Sequence, residues 1–435
     1  MTAHARLVVA HSRNAARRVS FERLPTNTTT RSHPVHRWFN FIAGFSPEFV
    51  QACISMSGED CDEVLHVLDP FVGCGTASVT ARMLGHASTG YDPHPFFSII
   101  GEAKANSAEY WSSLPEIQLA IARGLSEPVR ASGDLSDPAL TFLMKMFRPN
   151  DLDALIGARR KLEEEGLGAN PLAVLVLSRM LDHCCFAATD GIYKAPTSPK
   201  KALAPVAALD RVLAMLFCDR SEATSVEFEA RTYCKSSEDM SELGDRSVDI
   251  VVTSPPYLNN FDFAEMARMY IYFWKIAGSW GEISEKVRSK LVVNTTTALK
   301  GHKGNQRFYR DTIPESLHHD LARVVSLLYE KRLIKLGKKE YDLLVYPYLS
   351  QILSVLRECH RVMKSGAPLH MMVSDAALYG IHIPAPQWIA TLMESVGFWD
   401  VECHMVRQRG HRWILDKREG SKFGLGEYYV FGRSL

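Results

Sequence analysis

The sequence predicts an α/β protein built on an open, mostly parallel sheet, and three stretches carry that prediction. Val64 to Leu68 is a short apolar run that passes into Asp69-Pro70-Phe71-Val72-Gly73-Cys74-Gly75-Thr76 and then into helical sequence from Ala77 to Leu84. Strand, glycine-rich turn and helix in that order open a nucleotide-binding crossover unit. Ser88 to Tyr91 reads as a second strand that ends at Asp92. The third stretch, Val248 to Val252, is short and apolar, as a strand buried on both faces should be, and it runs directly into Thr253-Ser254-Pro255-Pro256-Tyr257.

The remaining elements follow in chain order. Ser46 caps a helix that Pro47 begins, because proline at the first helical position gives up an N–H that has no partner there anyway. Gly85 stops the helix that follows the glycine-rich turn. Beyond Asp92 the sequence is mostly helical: Ala139 to Phe147, Leu152 to Glu163, Pro171 to Ala188 and Pro205 to Cys218. The helix from Pro171 is apolar nearly all round, which signals burial, and Arg179, Asp182 and His183 interrupt it, which argues against a membrane span. Glu227 to Cys234 alternates like a strand. Ile352, Leu353, Val355, Leu356, Cys359, Val362 and Met363 recur at three-and-four spacing, which marks one face of a helix. Leu369 to Val373 reads as a strand, Trp388 to Val396 as a helix stopped by Gly397, and Val401 to Val406 with Glu427 to Phe431 as a closing hairpin.

Two local sites carry chemistry. Gly73 and Gly75 let the backbone pass close to a ligand, and Asp92 stands where the ribose hydroxyls of an adenosine would lie. The third position of the dinucleotide fingerprint is Ser78, so NAD is the weaker reading. At Ser254 to Tyr257, two prolines fix two φ angles and remove two donors. They leave a rigid ledge of carbonyl acceptors, a hydroxyl and an aromatic ring. Such a ledge suits an exocyclic amino group whose lone pair is held toward an electrophile. The plain alternative is a turn that only ends the strand.

Taken together, Asp-Pro-Phe-x-Gly-x-Gly-Thr and Ser-Pro-Pro-Tyr resemble the S-adenosylmethionine-dependent DNA amino methyltransferases, which modify cytosine N4 or adenine N6. The resemblance covers roughly residues 36–105 and 226–435. It implies a class I Rossmann-like methyltransferase fold: a seven-stranded, mostly parallel sheet with a terminal antiparallel hairpin, plus a helical insertion. It also implies cofactor roles for Asp69, Phe71, Gly73, Gly75, Thr76 and Asp92, and catalytic roles for Ser254, Pro255, Pro256 and Tyr257. Asp239, in Ser237-Glu238-Asp239-Met240, stands where such enzymes place an acid near the cofactor's adenine; its other reading is an acid stabilised at a helix N-terminus. Serine in the first ledge position resembles the cytosine-N4 branch, although many enzymes of that branch carry the catalytic motif first, unlike this chain. The helix at Ser46 resembles the element that closes over the cofactor's methionine end.

The expected organisation is a basic arm over residues 1–34, a catalytic domain over 35–105 and 226–435, a helical insertion over 106–225, and a second insertion over 279–341. Either insertion could hold target recognition. The arm contains one acid, Glu22, and lacks an apolar run long enough for a signal peptide; an organelle transit segment is its other reading. At 435 residues with 46% hydrophobic content, the chain is long enough for a large core. Nine cysteines without CxxC spacing read as reduced thiols, and none sits in the Pro-Cys setting that covalent attack on cytosine carbon 5 needs. Sixteen histidines show no ligand spacing, so no metal is expected.

A net charge of +1 neither demands nor excludes nucleic acid, so local clusters decide. These are Arg13, Arg17, Arg18 and Arg23; Lys194, Lys200 and Lys201; Lys300, Lys303, Arg307 and Arg310; and Arg407, Arg409, Arg412, Lys417 and Arg418. Lys194, Lys300, Lys303, Arg307, Arg409 and Arg412 are the candidate DNA contacts, with Asn259 and Asn260 as candidate base contacts; any of these charges can equally be a solvated face. The expected partner is double-stranded DNA, with a restriction endonuclease or another defence component as a candidate second partner, in the cytoplasm and at the nucleoid of a prokaryote or phage, away from membranes. The competing readings are an adenine-N6 enzyme, an RNA amino methyltransferase, an NAD-dependent dehydrogenase and a catalytically silent nucleic-acid-binding module.

Overall fold

The computed structural model describes residues 24, 26–39, 41, 43–58, 63–190, 193–224, 228–259, 261–334, 339–408 and 425–435. The cationic residues of the N-terminal arm, Arg13 to Arg23, lie outside that set, as do Asn260 and the cluster from Arg409 to Arg418.

Seven strands form the central sheet: β1 (His66–Asp69), β2 (Ala87–Tyr91), β3 (Ala230–Tyr233), β4 (Ile250–Thr253), β5 (Pro368–Ser374), β6 (Trp399–Gln408) and β7 (Gly426–Arg433). Their spatial order is β6-β7-β5-β4-β1-β2-β3. The pairs β4–β5, β4–β1, β1–β2 and β2–β3 are parallel, whereas β7 lies antiparallel to both β5 and β6. The chain order reverses between β1 and β4. Open α/β sheets bind ligands at that crevice, beyond the strands' carboxyl ends.

Alternation along the strands sends their side chains into two separate layers. Val67, Ile250 and Val252 face helices α1 (Pro47–Gly58) and α2 (Thr76–Met83), packing with Phe49, Ile54, Ala77 and Ala81. Leu68, Val251 and Leu369 face the other side, where Ile352, Leu356, Trp388 and Ile389 meet them. Those last four belong to the helices Val345–Val362 and Ala385–Val396. The serine before α1 acts as its cap: Phe49 N–H donates to Ser46 Oγ at 3.2 Å.

After β2, α3 (Pro95–Ala105) leads into a helical layer whose longer members are α4 (Leu114–Ser126), α5 (Pro149–Glu164), α6 (Pro171–Cys184) and α7 (Pro205–Cys218). Its core is continuous with residues 264–287, which follow the Ser-Pro-Pro-Tyr turn, so the insertion is packed onto the segment that leaves that turn. Helix α6 stops at Cys184, short of the expected Ala188, because Cys185 turns to extended backbone and a hairpin of Ala187–Asp190 with Tyr193–Pro199 begins. Apolar sequence continues across that boundary, since a buried strand and a buried helix both need it. The helix expected at Ala139–Phe147 spans Asp137–Leu143. Residues 279–341 contain the helices Trp280–Lys286, Gln306–Thr312 and Glu315–Ile334. A short hairpin, Ala376–Leu378 with Ile381–Ile383, follows β5 and has no forerunner in the sequence reading. Among the described residues no helix is long and apolar enough to cross a membrane.

Candidate active site

The glycine-rich turn is held from two directions. Gly73 and Gly75 both take left-handed backbone, with φ of +51° and +82°. A Cβ on Gly75 would lie 3.1 Å from the carbonyl oxygen of Gly101 in α3, so the missing side chain there admits a neighbouring helix. A Cβ on Gly73 would instead meet the ring of Phe41 at 3.1 Å, on the cavity side. Asp92 ties this turn to the end of β2: its carboxylate accepts from Gly73 N–H at 3.1 Å and from His94 N–H at 2.8 Å. Burial pushes the Asp92 carboxyl up to about 7, against those two hydrogen bonds.

Asp69 closes β1 and faces β4. It accepts from Thr253 Oγ–H at 2.7 Å and from Phe71 N–H at 3.0 Å, which pins the two turns side by side at the crevice. Burial raises its carboxyl to about 7, and the nearby Asp92 charge adds to the rise.

The Ser-Pro-Pro-Tyr ledge begins directly beyond Thr253. The Tyr257 hydroxyl donates to Glu427 at 3.2 Å and accepts from Ser254 Oγ at 3.4 Å. Arg407 stands 2.9 Å from the other Glu427 oxygen. Asn294 Nδ2 donates to the carbonyls of Tyr257 and Phe261 at 3.4 and 2.8 Å, fixing the chain as it leaves the ledge. Asn259, which also has left-handed backbone, donates its N–H to the Asn294 carbonyl at 2.5 Å.

Both motifs open into one cavity of about 410 Å³. Phe71, Gly73, Asp92 and His94 form one wall, Ser254 to Tyr257 another, and Phe41, Phe45, Ser46 and Phe49 a third. Met372, Arg407 and Glu427 bring in the distal strands. Asp69, Gly75 and Thr76 lie behind this lining; Thr76 starts α2, and its carbonyl accepts from Thr80 Oγ–H. Asp239 is exposed and ion-paired with Lys235 at 3.0 Å, so the residues of its turn that reach the cavity are Ser236 and Ser237.

His94, which the sequence reading did not single out, is buried in the cavity wall. Its Nδ1 accepts from Phe96 N–H at 3.2 Å and Phe97 N–H at 3.4 Å, which places the ring proton on Nε2. That Nε2 has no partner among the described residues, and burial holds the ring neutral, with its pKa lowered to about 3. The Asp-Pro-His-Pro run carried a usable signal, because His94 is the residue that caps α3. Glu427 had none, since strand pairing alone brings it to Tyr257; Arg407 stood out only as one member of a basic cluster, and strand pairing sets it against Glu427.

The candidate DNA contacts are scattered. Lys194 is largely buried and donates to Asp182 at 3.0 Å. Lys303 pairs with Glu340, and Arg307 is 87% exposed with Asp311 at 3.6 Å. Lys300 is exposed. Arg409 and Arg412 lie outside the described residues.

The seven-stranded sheet, parallel except for its terminal antiparallel hairpin, and the glycine turn after β1 are the features that the resemblance led us to expect. The relatives that match most of the chain are type II methyltransferases. The chain is 23% identical to type II methyltransferase M.BsoBI of Geobacillus stearothermophilus, over 89% of its own length and 83% of the relative's. Type II methyltransferase M.AvaI of Anabaena variabilis is 22% identical over 87% of this chain and 82% of its own. A solved SAM-dependent methyltransferase from Methanosarcina mazei aligns over 87% of this chain and 96% of its own, at 8% identity and a TM-score of 0.30. No known family profile matches the chain.

Proposed function

We propose that this protein is a DNA methyltransferase that moves the methyl group of S-adenosylmethionine to the exocyclic N4 of cytosine in duplex DNA. The observation that carries the proposal is the opening of the glycine turn, its acid and the Ser-Pro-Pro-Tyr ledge into one cavity. The likeness to type II methyltransferases over most of the chain supports the reaction class. Serine in the first ledge position favours cytosine.

The wall residues fit the cofactor. Gly73 leaves room for close approach, Asp92 has carboxylate lone pairs beyond the two it gives to backbone, and His94 Nε2 is a donor without a protein partner among the described residues. A space of about 410 Å³ lies within the range usual for small-molecule sites. When bound, S-adenosylmethionine supplies an electrophilic methyl group.

The chain's own residues do the rest. Flipping the base out of the duplex costs a few kcal/mol, and stacking on Tyr257 returns about 1 to 3 kcal/mol. Glu427 holds the Tyr257 hydroxyl, which fixes the plane of that ring. An exocyclic amine is a poor nucleophile because its lone pair delocalises into the ring. Carbonyl acceptors at Ser254 and Pro255 favour the pyramidal nitrogen and stabilise the positive charge that develops on it. The surplus proton leaves to water or to Ser254. In this reading residues 106–225 or 279–341 supply target recognition, and exposed cations such as Lys300 and Arg307 supply phosphate contacts.

Calorimetry with S-adenosylmethionine, S-adenosylhomocysteine and NAD, paired with transfer of a labelled methyl group to duplex DNA, tests the proposal. Binding of both S-adenosyl compounds and labelled DNA are expected. NAD binding without methyl transfer would overturn it.

A further inference from the structure

A second cavity, of about 670 Å³, lies beside the first. Phe41 and Phe97 line both, so a single layer of aromatic side chains separates the two spaces. Met266 and Tyr270, from the segment that leaves the ledge, form part of its wall. The rest comes from α6, α7, the hairpin after α6 and the N-terminal segment.

This wall is strongly cationic. Arg31, Arg37, Arg179, Lys194, Lys200 and Arg211 reach it, and among the described residues Asp182 is the one carboxylate in its lining. Asp182 is shared three ways: it accepts from Arg179 at 2.8 Å, Lys194 at 3.0 Å and the Tyr270 hydroxyl at 2.7 Å. Arg37 is neutralised from outside the lining by Asp219. Among the described residues, six cationic groups face those two carboxylates, an excess of four positive charges, and His183 adds none at neutral pH because burial lowers its pKa to about 4. The Arg179 Nε is buried without a partner among the described residues.

A clamp that fastens the hairpin to α6 would need Arg179, Asp182 and Lys194 only. Lys200 can join such a clamp through the Asp182 carbonyl, but a clamp gives no reason for Arg211 to face the same space, where the repulsion among these cations costs stability. A concave site with several fixed cations, two or more of them guanidinium groups, is matched by a multiply charged oxyanion, above all phosphate. We propose that this cavity binds phosphate and that, given the DNA methyltransferase reading on which this rests, the phosphate is the backbone of the target strand beside the flipped nucleotide. The shared aromatic partition supports that source: a base in the first cavity keeps its own backbone close to the second.

Replacing Lys200 and Arg211 together by glutamine tests the proposal. Both are exposed, and among the described residues the Lys200 ammonium bonds only the Asp182 carbonyl, so the Asp182 side-chain network is left in place; thermal unfolding checks this, and Arg211→Gln alone is the fallback variant. Duplex affinity should fall at least tenfold near 0.1 M salt, and the log–log salt slope should become shallower by about 1.8, which is 0.9 for each lost phosphate contact. Affinity for S-adenosylmethionine should not change. Neutral methylphosphonate at the phosphate flanking the target should weaken wild-type binding and add nothing in the double variant.

Unchanged duplex affinity and slope would overturn the DNA assignment. If inorganic pyrophosphate still bound the wild type and not the variant, the site would belong to a small phosphate compound; without pyrophosphate binding either, the cluster would be a structural clamp. Methyl transfer to DNA by the wild type, measured in the same samples, separates the claims. Its absence refutes the methyltransferase reading, while the pyrophosphate titration still judges the cavity.

Discussion

Lowering the pH from 8 to 6 should weaken S-adenosylmethionine binding about tenfold through Asp92 alone. Burial raises this carboxyl to about 7, and the ribose-binding role proposed for it needs the ionised form. If only that form binds well, apparent affinity falls tenfold for each pH unit below the pKa, about 1.4 kcal/mol per unit. Asp92→Asn should bind more weakly at pH 8, by about 1.5 to 3 kcal/mol for a lost charge-assisted hydrogen bond, and should show no pH step. Asp69 is also raised to about 7 but lies behind the lining, so Asp69→Asn should keep the step. Stability must move the other way. An acid whose folded pKa is raised takes up its proton more readily in the folded state, so the contribution of Asp69 and Asp92 to stability grows as pH falls from about 7 toward the usual carboxylate range and is lost as pH rises through 7. Weaker binding at pH 6 therefore cannot be blamed on these two carboxyls unfolding the protein. Calorimetric titration at pH 6, 7 and 8 reads the effect; a flat wild-type profile, or a step that survives in Asp92→Asn, would refute the assignment.

Tyr257→Ala should leave S-adenosylmethionine affinity nearly intact and lower methylation by at least about a hundredfold, because the base is no longer held for in-line attack; Tyr257→Phe should keep much of the activity, since stacking uses the ring face. Full activity in Tyr257→Ala would reduce the ledge to a strand terminator. Glu427→Gln preserves an acceptor for the Tyr257 hydroxyl, so steady-state kinetics should show far less loss than for Glu427→Leu. Gly75→Ala should lower thermal stability before it affects cofactor binding, by about 1 to 2 kcal/mol from its left-handed backbone and more from contact with Gly101. An unchanged melting temperature would contradict that packing.

The parts of the fold that were legible in the sequence are those with local causes. Val248 to Val252 was read as a buried strand, which is observed over Ile250–Thr253, and Pro47, Pro171 and Pro205 each begin a helix at the residue where φ is already set. Asp92 was findable because strand length and turn chemistry put it at a strand's end. What escaped depends on pairing across long stretches of chain. Glu427 meets Tyr257 because β7 lies in register opposite Ser374 of β5, and nothing near residue 427 announces that. Asp239 was selected by chain position, but the turn after β3 directs Ser236 and Ser237 inward and leaves Asp239 with Lys235. Arg179, Asp182 and His183 were noticed only as charges that break an apolar helix. Their grouping with Lys194 and Tyr270 required the hairpin, whose apolar start is indistinguishable from more helix.

Nucleoside mass spectrometry tests methyl transfer to cytosine N4 most directly. Duplex DNA incubated with the protein and S-adenosylmethionine carrying a labelled methyl group is digested and its nucleosides are separated. Labelled N4-methylcytosine is expected in wild-type samples, and its near absence with Tyr257→Ala. Labelled N6-methyladenine would contradict the choice of base, and no labelled nucleoside from a protein that binds S-adenosylmethionine would contradict the function.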